Sequence, residues 1–503
     1  MGKRCKLIIG GPGTGKTQRL TEILGKEIER GVGPGEIAFL SFTKAAVNEA
    51  LDRMMRKFKL PRSAFPYCRT IHSFAFQGCG MRREEIMNKK HIGDLRQKLI
   101  GVHEDLDPDK FEARPVEKRK QGRDLVSAVL QMNSIAVSHG KTIDESYDPS
   151  KDIPFAVVEG VVDAFKKYKR AHCLFDYNDM LTEYLDRGAI APVRVVIVDE
   201  AQDLNELQWA IVNQLRDGAD RTYIAGDDDQ AIYGFSGAQP HRLRDLGETD
   251  REELPFSFRL SPEIWEYAKR TIAANLNRIP KHFTANGERS GLLHYSHLLH
   301  AIPIPKSGGT PRKTWMILAR AVHLLREYKR TFFKWGVPFT IGKNRSIPFK
   351  IARAIHAWDR SKNGVNITGS DADLILKLSG RGPKFTSKPL GYFSKKEIGV
   401  IRGEWYNTLI GIEGDLLIHC ANAKQFGFDI LAVPAIHLDT IHAAKGREAD
   451  VVVLDSGMTK EVAKNFRRNI EEETRIWYVG ATRTRSDLYI LNSTHAKKFY
   501  KFY

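Results

Sequence analysis

Cysteine is scarce and scattered in this chain. The five residues, Cys5, Cys68, Cys79, Cys173 and Cys420, form no C-x-x-C pair and no Cys/His cluster at zinc spacing. That excludes a disulfide framework and a structural metal or thiolate-held cluster. Long apolar runs are missing too: none approaches the roughly 20 residues needed to cross a bilayer, so no membrane is expected as a partner. The basic start Met1-Gly2-Lys3-Arg4 leads only to the short run Leu7-Ile8-Ile9, which is no secretory h-region, and Lys6 breaks the myristoylation pattern. No tandem repeat or low-complexity tract occurs. The expectation is a soluble chain of a reducing compartment, cytoplasmic in location.

Positive charge, by contrast, is in excess. Lys and Arg number 79 against 61 Asp and Glu, a formal net charge of +18, and a cationic surface of this kind favours a polyanion, nucleic acid above all. Between Lys329 and Lys362 nine basic residues face one acid, Asp359, and between Lys377 and Arg402 seven face one, Glu397. Either run alone is also what a solvated face looks like; together they mark the most electropositive surface. At 503 residues, 42% hydrophobic and 28% charged, the chain is a folded protein too long for one core.

The pattern along the chain predicts an α/β protein. Residues 1–80 alternate short apolar runs (Leu7–Ile9, Ile37–Ser41) with helical patterns (Thr17–Arg30, Ala45–Phe58), the rhythm of a parallel sheet. Mixed-charge helical sequence such as Glu112–Gln121 replaces it from 81 to 170, and the rhythm returns over 171–250 with strands at Val193–Val198 and Thr222–Ala225. A second series uses Trp315–Leu318, Phe339–Ile341, Ile436–Ile441, Val451–Leu454 and Leu488–Leu491. The expected organisation is one sheet domain from 1–80 and 171–250 with a helical insertion at 81–170, and a second from 251–343 and 435–503 with a short basic insertion at 344–434.

The first strand leads into Gly10-Gly11-Pro12-Gly13-Thr14-Gly15-Lys16-Thr17, a complete G-x-x-x-x-G-K-T loop. Glycines there let backbone N–H groups close around the phosphates of a nucleoside triphosphate, Lys16 reaches the β/γ oxygens, and the Thr17 hydroxyl can hold Mg²⁺. After the strand at Val193–Val198 stand Asp199 and Glu200. Acids at the C-terminal end of a parallel strand share the crevice of the phosphate loop, so Asp199 suits Mg²⁺ and Glu200 suits the attacking water. Adjacent acids after a strand are otherwise surface charges or helix N-terminal charges.

The next strand leads into Gly226-Asp227-Asp228-Asp229-Gln230-Ala231-Ile232-Tyr233-Gly234-Phe235-Ser236-Gly237-Ala238. With this third motif the chain resembles the UvrD/Rep/PcrA group of superfamily 1 DNA helicases. Phe39–Ala46 is similar to motif Ia of that group, Thr70–Phe74 to Ib, and Phe175–Asp179 to the short motif before the acidic strand. Phe256–Ser261 resembles motif IV, Thr440–Glu448 motif V and Glu472–Arg483 motif VI.

The resemblance implies two RecA-like domains of the P-loop NTPase class and an ATP-dependent translocase and helicase on single-stranded DNA and ss/ds DNA junctions. ATP and Mg²⁺ are the implied cofactors. Carried over residue by residue, Lys16, Glu200, Gln230, Arg259 and Arg483 would be catalytic. Gly11, Gly13, Thr14, Gly15, Lys16, Thr17, Phe258 (against adenine) and Glu448 (toward ribose) would hold the nucleotide, and Thr17 and Asp199 the metal. Phe42, Thr43, His72, Tyr233, Phe235 and His442 would touch nucleic acid, the aromatics by stacking; the lesser alternative for Phe42 and Phe235 is a place in the core. Arg259 and Arg483, if they lie on the second sheet, would tie hydrolysis to domain closure. The wording Thr-x-His-x-Ala-Lys-Gly at motif V implies 3′→5′ polarity.

The chain departs from the group in three places. No glutamine precedes the phosphate loop, Ser236 stands where an arginine is usual, and the second insertion is short for a duplex-contacting subdomain. These departures keep a second reading open, a DNA-stimulated ATPase switch that recruits a partner nuclease or replication factor in replication, repair or defence without processive unwinding. A P-loop kinase would explain Lys16 and Asp199 but leaves motifs IV to VI without purpose.

Overall fold

Uninterrupted apolar runs build a first parallel sheet. The computed structural model describes residues 4–100, 125–149, 153–188, 191–246, 250–305, 313–492 and 498–500. In it β1 (Arg4–Ile9), β2 (Ile37–Ser41), β3 (Cys68–Thr70), β4 (Val195–Asp199), β5 (Arg221–Gly226) and β6 (Asp250–Glu253) are ordered β3-β2-β4-β5-β1-β6. Every pairing is parallel. Helices on both faces make the central strands apolar throughout. Successive residues separate into two cores: Leu7, Ile9, Ala38, Leu40, Val196 and Val198 join one, while Ile8, Ile37, Phe39, Val195 and Ile197 join the other. The alternation is the period-2 geometry of a strand. Because all strands run the same way, the segments after β1, β4 and β5 emerge on one edge.

The chain divides into two compact units, Met1–Phe258 with Asn277–Thr284, and Arg259–Leu276 with Ala285–Tyr503. In the first unit the helices Lys89–Ile100, Leu125–Ser138, Ile143–Ser146 and Phe155–Ala171 bury a core of their own, including Val129, Val158, Val162 and Phe165. The stretch Glu112–Gln121 lies outside the described residues.

The second unit contains a sheet of β7 (Leu293–Ser296), β8 (Trp315–Ala319), β9 (Phe339–Ile341), β10 (Asn344–Arg345), β13 (Ile436–Thr440), β14 (Ala449–Asp455) and β16 (Thr484–Leu491). Between β10 and β13 lie β11 (Ile367–Thr368) and β12 (Tyr392–Phe393), an antiparallel pair. Strand β15 (Gly457–Met458) follows β14, and β17 (Lys498–Phe499) follows β16. The order is β10-β9-β13-β8-β14-β16-β7, with only β10 antiparallel to its neighbour. Here the insertion has no separate core. Trp358, Ile375, Trp405 and Cys420 share one cluster with Ile317, Phe339 and Ile436 of the sheet.

Both sheets follow the expected rhythm, with shifts at the ends. Ile441 is not strand; it opens the helix Ile441–Ala444, whose N-cap Thr440 accepts from Ala443 N at 3.3 Å. The stop at 250 falls inside the first sheet, since β6 pairs with β1 from Lys6↔Asp250 to Ile9↔Glu253. Its sequence Asp-Arg-Glu-Glu carries no apolar signal because an edge strand is half solvated. Among the described residues no helix is long and apolar enough to cross a membrane.

Candidate functional site

In the first unit, the phosphate loop joins β1 to the helix Lys16–Glu29. Gly13 and Gly15 take φ of 73° and 84°, which only glycine adopts without strain. The ring of Phe283 covers Gly11 so closely that a Cβ there would lie 2.0 Å from it. Thr14 Oγ1 donates to Gly11 O at 2.9 Å, and Lys16 Nζ donates to Gly10 O at 2.8 Å and Gly11 O at 3.3 Å. Ser257 Oγ donates to Pro12 O at 2.7 Å and Phe258 N to Gly13 O at 2.9 Å. That leaves the Phe258 ring, 60% exposed, beside Gly15 as a flat apolar surface.

Thr17 Oγ1 donates to Asp199 Oδ2 at 2.7 Å. A hydroxyl and a carboxylate at this spacing are hard oxygens suited to a hard divalent cation. Asp199 is fully buried, and burial together with the charge of Glu200 pushes its carboxyl up to about 7. Glu200 sits in the left-handed region at φ 54°, with its N–H on Asp199 Oδ1 at 2.9 Å. Strain of this sort concentrates where function holds a residue in place.

Glu200 is linked to the loop after β5. Gln202 donates through Nε2 to Glu200 Oε2 and accepts from Asp227 N through Oε1 at 2.9 Å. Gln230 Nε2 donates to Asp227 Oδ2 at 2.6 Å. Asp227, Asp228 and Asp229 are all fully buried and meet Lys281 and Arg278. Burial works to raise the Asp227 carboxyl, but Lys281 and Lys16 outweigh it and hold it below the usual carboxylate range. Burial works against the Lys281 ammonium as well, yet the three aspartates raise its pKa.

A second arrangement in the same unit is aromatic. Phe42 and Tyr233 stack at 5.2 Å and 26°, with Phe235 edge-on to Tyr233 at 6.0 Å. Phe235 is 54% exposed, so it is not core. Phe42, His72, Phe235 and Ser236 line one cavity of about 290 Å³ with Ser134 and Ser138 of the helical insertion. His72 lies 3.5 Å from Gln208 Nε2 and edge-on to Tyr177, and burial lowers its pKa. Thr43 caps the helix Lys44–Phe58 through Ala46 N at 3.3 Å. A recess of about 690 Å³ is lined by Lys44, Arg62, Arg69, Thr70, Ser73 and Gln77 among others. Ser236 Oγ donates to Tyr233 O at 2.9 Å within its own turn.

In the second unit Arg259 pairs with Glu448 (Nε to Oε2, 2.6 Å) and donates to Thr482 O at 3.2 Å. Arg485 holds the other oxygen of Glu448 at 2.7 Å. Burial works to raise the Glu448 carboxyl, but the two arginines hold it below its ordinary value. Arg483, 2% exposed, donates to Val479 O at 2.9 Å and Thr482 Oγ1 at 3.1 Å. Arg259 and Arg483 thus meet at Thr482, with Glu448 joined through Arg259, while His442 stands half-buried on the helix Ile441–Ala444 after β13.

Sequence reasoning missed Lys281, Arg278, Gln202, Arg485, Arg62 and Arg69. Lys281 and Arg278 lie in a segment without motif character. Gln202 and Arg485 are two residues beyond Glu200 and Arg483, and proximity to those motifs was their only signal.

Residues 2–249 match the family model of the UvrD/REP helicase N-terminal domain, and residues 417–495 that of the UvrD-like helicase C-terminal domain. The ATP-dependent DNA helicase UvrD2 of Mycobacterium tuberculosis is 23% identical over 551 residues, covering 96% of this chain and 75% of the relative. The ATP-dependent DNA helicase PcrA of Staphylococcus aureus is 22% identical over 457 residues, covering 83% of this chain and 60% of the relative.

Proposed function

Because the chain belongs to the UvrD/REP helicase family, we propose that it is an ATP-driven motor that moves 3′→5′ along single-stranded DNA and separates strands at ss/ds junctions. The observation that carries this reading is the Thr17–Asp199 pair next to Lys16, bonded through Glu200, Gln202 and Asp227 to the loop that holds Gln230. Lys16 receives the β/γ phosphates in place of the carbonyls of Gly10 and Gly11. Thr17 and Asp199 would hold Mg²⁺, which would supply Lewis-acid stabilisation of the charge that develops on the phosphate oxygens. Glu200 orients the attacking water and takes its proton, and Gln230 bonds that water and the γ-phosphate.

Phe258 stacks on adenine, and Glu448 meets the ribose. Arg259 and Arg483 of the second unit neutralise the transition state, an effect worth about 10³ to 10⁵ in rate for one arginine. Phe42, Tyr233 and Phe235 stack on bases, Thr43, His72 and His442 contact the strand, and Lys44, Arg62 and Arg69 meet its phosphates. The reading predicts an ATPase rate stimulated by single-stranded DNA more than by duplex DNA or RNA. Lys16→Ala would lose nucleotide binding, and Glu200→Gln would lose about 10² to 10⁴ in kcat. An ATPase indifferent to single-stranded DNA would overturn it.

One observation favours the switch reading. Ser236 is a neutral residue bonded within its own turn, so motif III brings no cation toward the γ-phosphate. Robust DNA-stimulated turnover without displacement of a labelled strand would select that alternative.

A further inference from the structure

We propose that Lys281 is a positioning residue for hydrolysis, anchoring Asp227, whose carboxylate sets Gln230 and whose backbone N–H sets Glu200 through Gln202. The inference rests on the reading of Gln230 and Glu200 as the groups that handle the attacking water.

Three consecutive carboxylates, Asp227, Asp228 and Asp229, are fully buried. Like charges removed together from water require a compensating cation in place. Lys281, with its side chain 1% exposed, reaches Asp227 Oδ1 at 3.0 Å, Asp228 Oδ1 at 2.7 Å and Asp229 Oδ2 at 2.6 Å. An ammonium has three donors that diverge, one for each carboxylate; the planar fork of arginine serves one carboxylate well and three poorly. Arg278 adds a second cation to Asp229, and Ile279 N donates to Asp228 Oδ2 at 2.8 Å.

The Asp227 carboxylate divides its oxygens. Oδ1 takes Lys281 and the N–H of Asp229 at 3.2 Å, while Oδ2 takes Gln230 Nε2 at 2.6 Å. The backbone N–H of Asp227 holds Gln202, which holds Glu200. One anchored aspartate therefore sets both groups. Removing the ammonium leaves Oδ1 with the long bond from Asp229 N and loosens the direction of Oδ2.

The position of Lys281 in the chain adds to the argument. It lies in Asn277–Thr284, eight residues of the first unit whose two ends continue into the second at Leu276 and Ala285. Two residues later in the same segment, the Phe283 ring covers Gly11 of the phosphate loop. The segment therefore touches both nucleotide-facing loops of its own unit.

The test compares Lys281→Met, Gln230→Ala and their combination in the full chain, with kcat expressed per ADP-binding site counted by calorimetry. Lys281→Met is expected to lower kcat about 100-fold, the scale of a misplaced reacting group. KM for ATP and ADP affinity should stay within about threefold, and the combination should be far less than multiplicative. Because Met removes the cation that meets all three buried carboxylates, Lys281→Met/Asp228→Asn serves as the second variant; ADP binding should be intact there and kcat still low. Turnover within about threefold of the parent in either variant overturns the proposal. So does parallel loss of ADP binding and kcat in both, which would make Lys281 merely structural. Unchanged kcat in Gln230→Ala would instead remove the reading of Gln230 on which the proposal stands.

Discussion

The two sheets hold most of their candidate groups in different ways. At the edge of the first, the groups read as handling metal and water are bonded into one network, Thr17 to Asp199, Gln230 to Asp227, and Glu200 to Asp199 and Gln202, with Lys16 alongside on the carbonyls of Gly10 and Gly11. At the edge of the second, Arg259 and Arg483 are held by Glu448, by Thr482 and by the carbonyl of Val479. A preorganised set needs no rearrangement at the moment of reaction. On the proposed reading, a guanidinium bonded to carbonyls of its own unit would instead have to exchange them for phosphate oxygens. On that reading the first unit would set the geometry of water attack and the second would supply the conditional part, charge neutralisation.

The sharpest challenge to that division is Arg483→Ala. It should lower kcat by about 10³ or more while ADP affinity, measured by calorimetry, stays near the parent value. Retention of most of the turnover would leave Arg483 as a helix-end tie to Val479.

A smaller effect contrasts the cores. The insertion of the second unit shares its core with the sheet, and His419 is buried there, stacked on Phe333 at 4.3 Å with Nε2 3.0 Å from Ser346 Oγ. Burial pushes its imidazole down to about 4 from 6.5. The folded state therefore binds fewer protons than the unfolded one, so stability is lost as pH falls from 6.5 toward 4, by about 3 kcal/mol in all. Urea midpoints at about pH 7.5 and about pH 5 should fall more steeply for the parent than for His419→Gln. Equal slopes would remove this histidine from the comparison.

The mildest test concerns grip. Phe42→Ala should weaken single-stranded DNA binding by about 1 to 3 kcal/mol in fluorescence anisotropy, with KM for ATP unchanged. An unaltered affinity would return the Phe42–Tyr233 stack to a packing role.

Much of this was legible in the sequence because it is local. The phosphate loop, the acids after β4 and the buried runs of β2 and β4 each announce themselves within a few residues, and the motifs single out Phe42, His72 and Phe235, which line one cavity. What was not legible is what the fold brings from far along the chain. Lys281 lies more than 50 residues from Asp227 in sequence, with |i−j| of 53 to Asp228, and nothing in Arg-Ile-Pro-Lys-His-Phe marks it. The strand β6 was missed because an acidic edge strand lacks an apolar pattern. The motif marks Glu448 as a candidate ribose ligand; its pairing with Arg259 and Arg485 is a tertiary fact that no local pattern carries.

The return of Asn277–Thr284 has a consequence for how the molecule could be cut. The polypeptide passes between its two units three times, after Phe258, after Leu276 and after Thr284. A fragment ending at the first passage would keep every residue of the phosphate loop and of the Asp227–Gln230 turn, yet strand three interior anions with neither Lys281 nor Arg278 to balance them. The ATP-binding half is thus not a contiguous cassette, and transplanting it into another protein would require splicing in those eight residues as well.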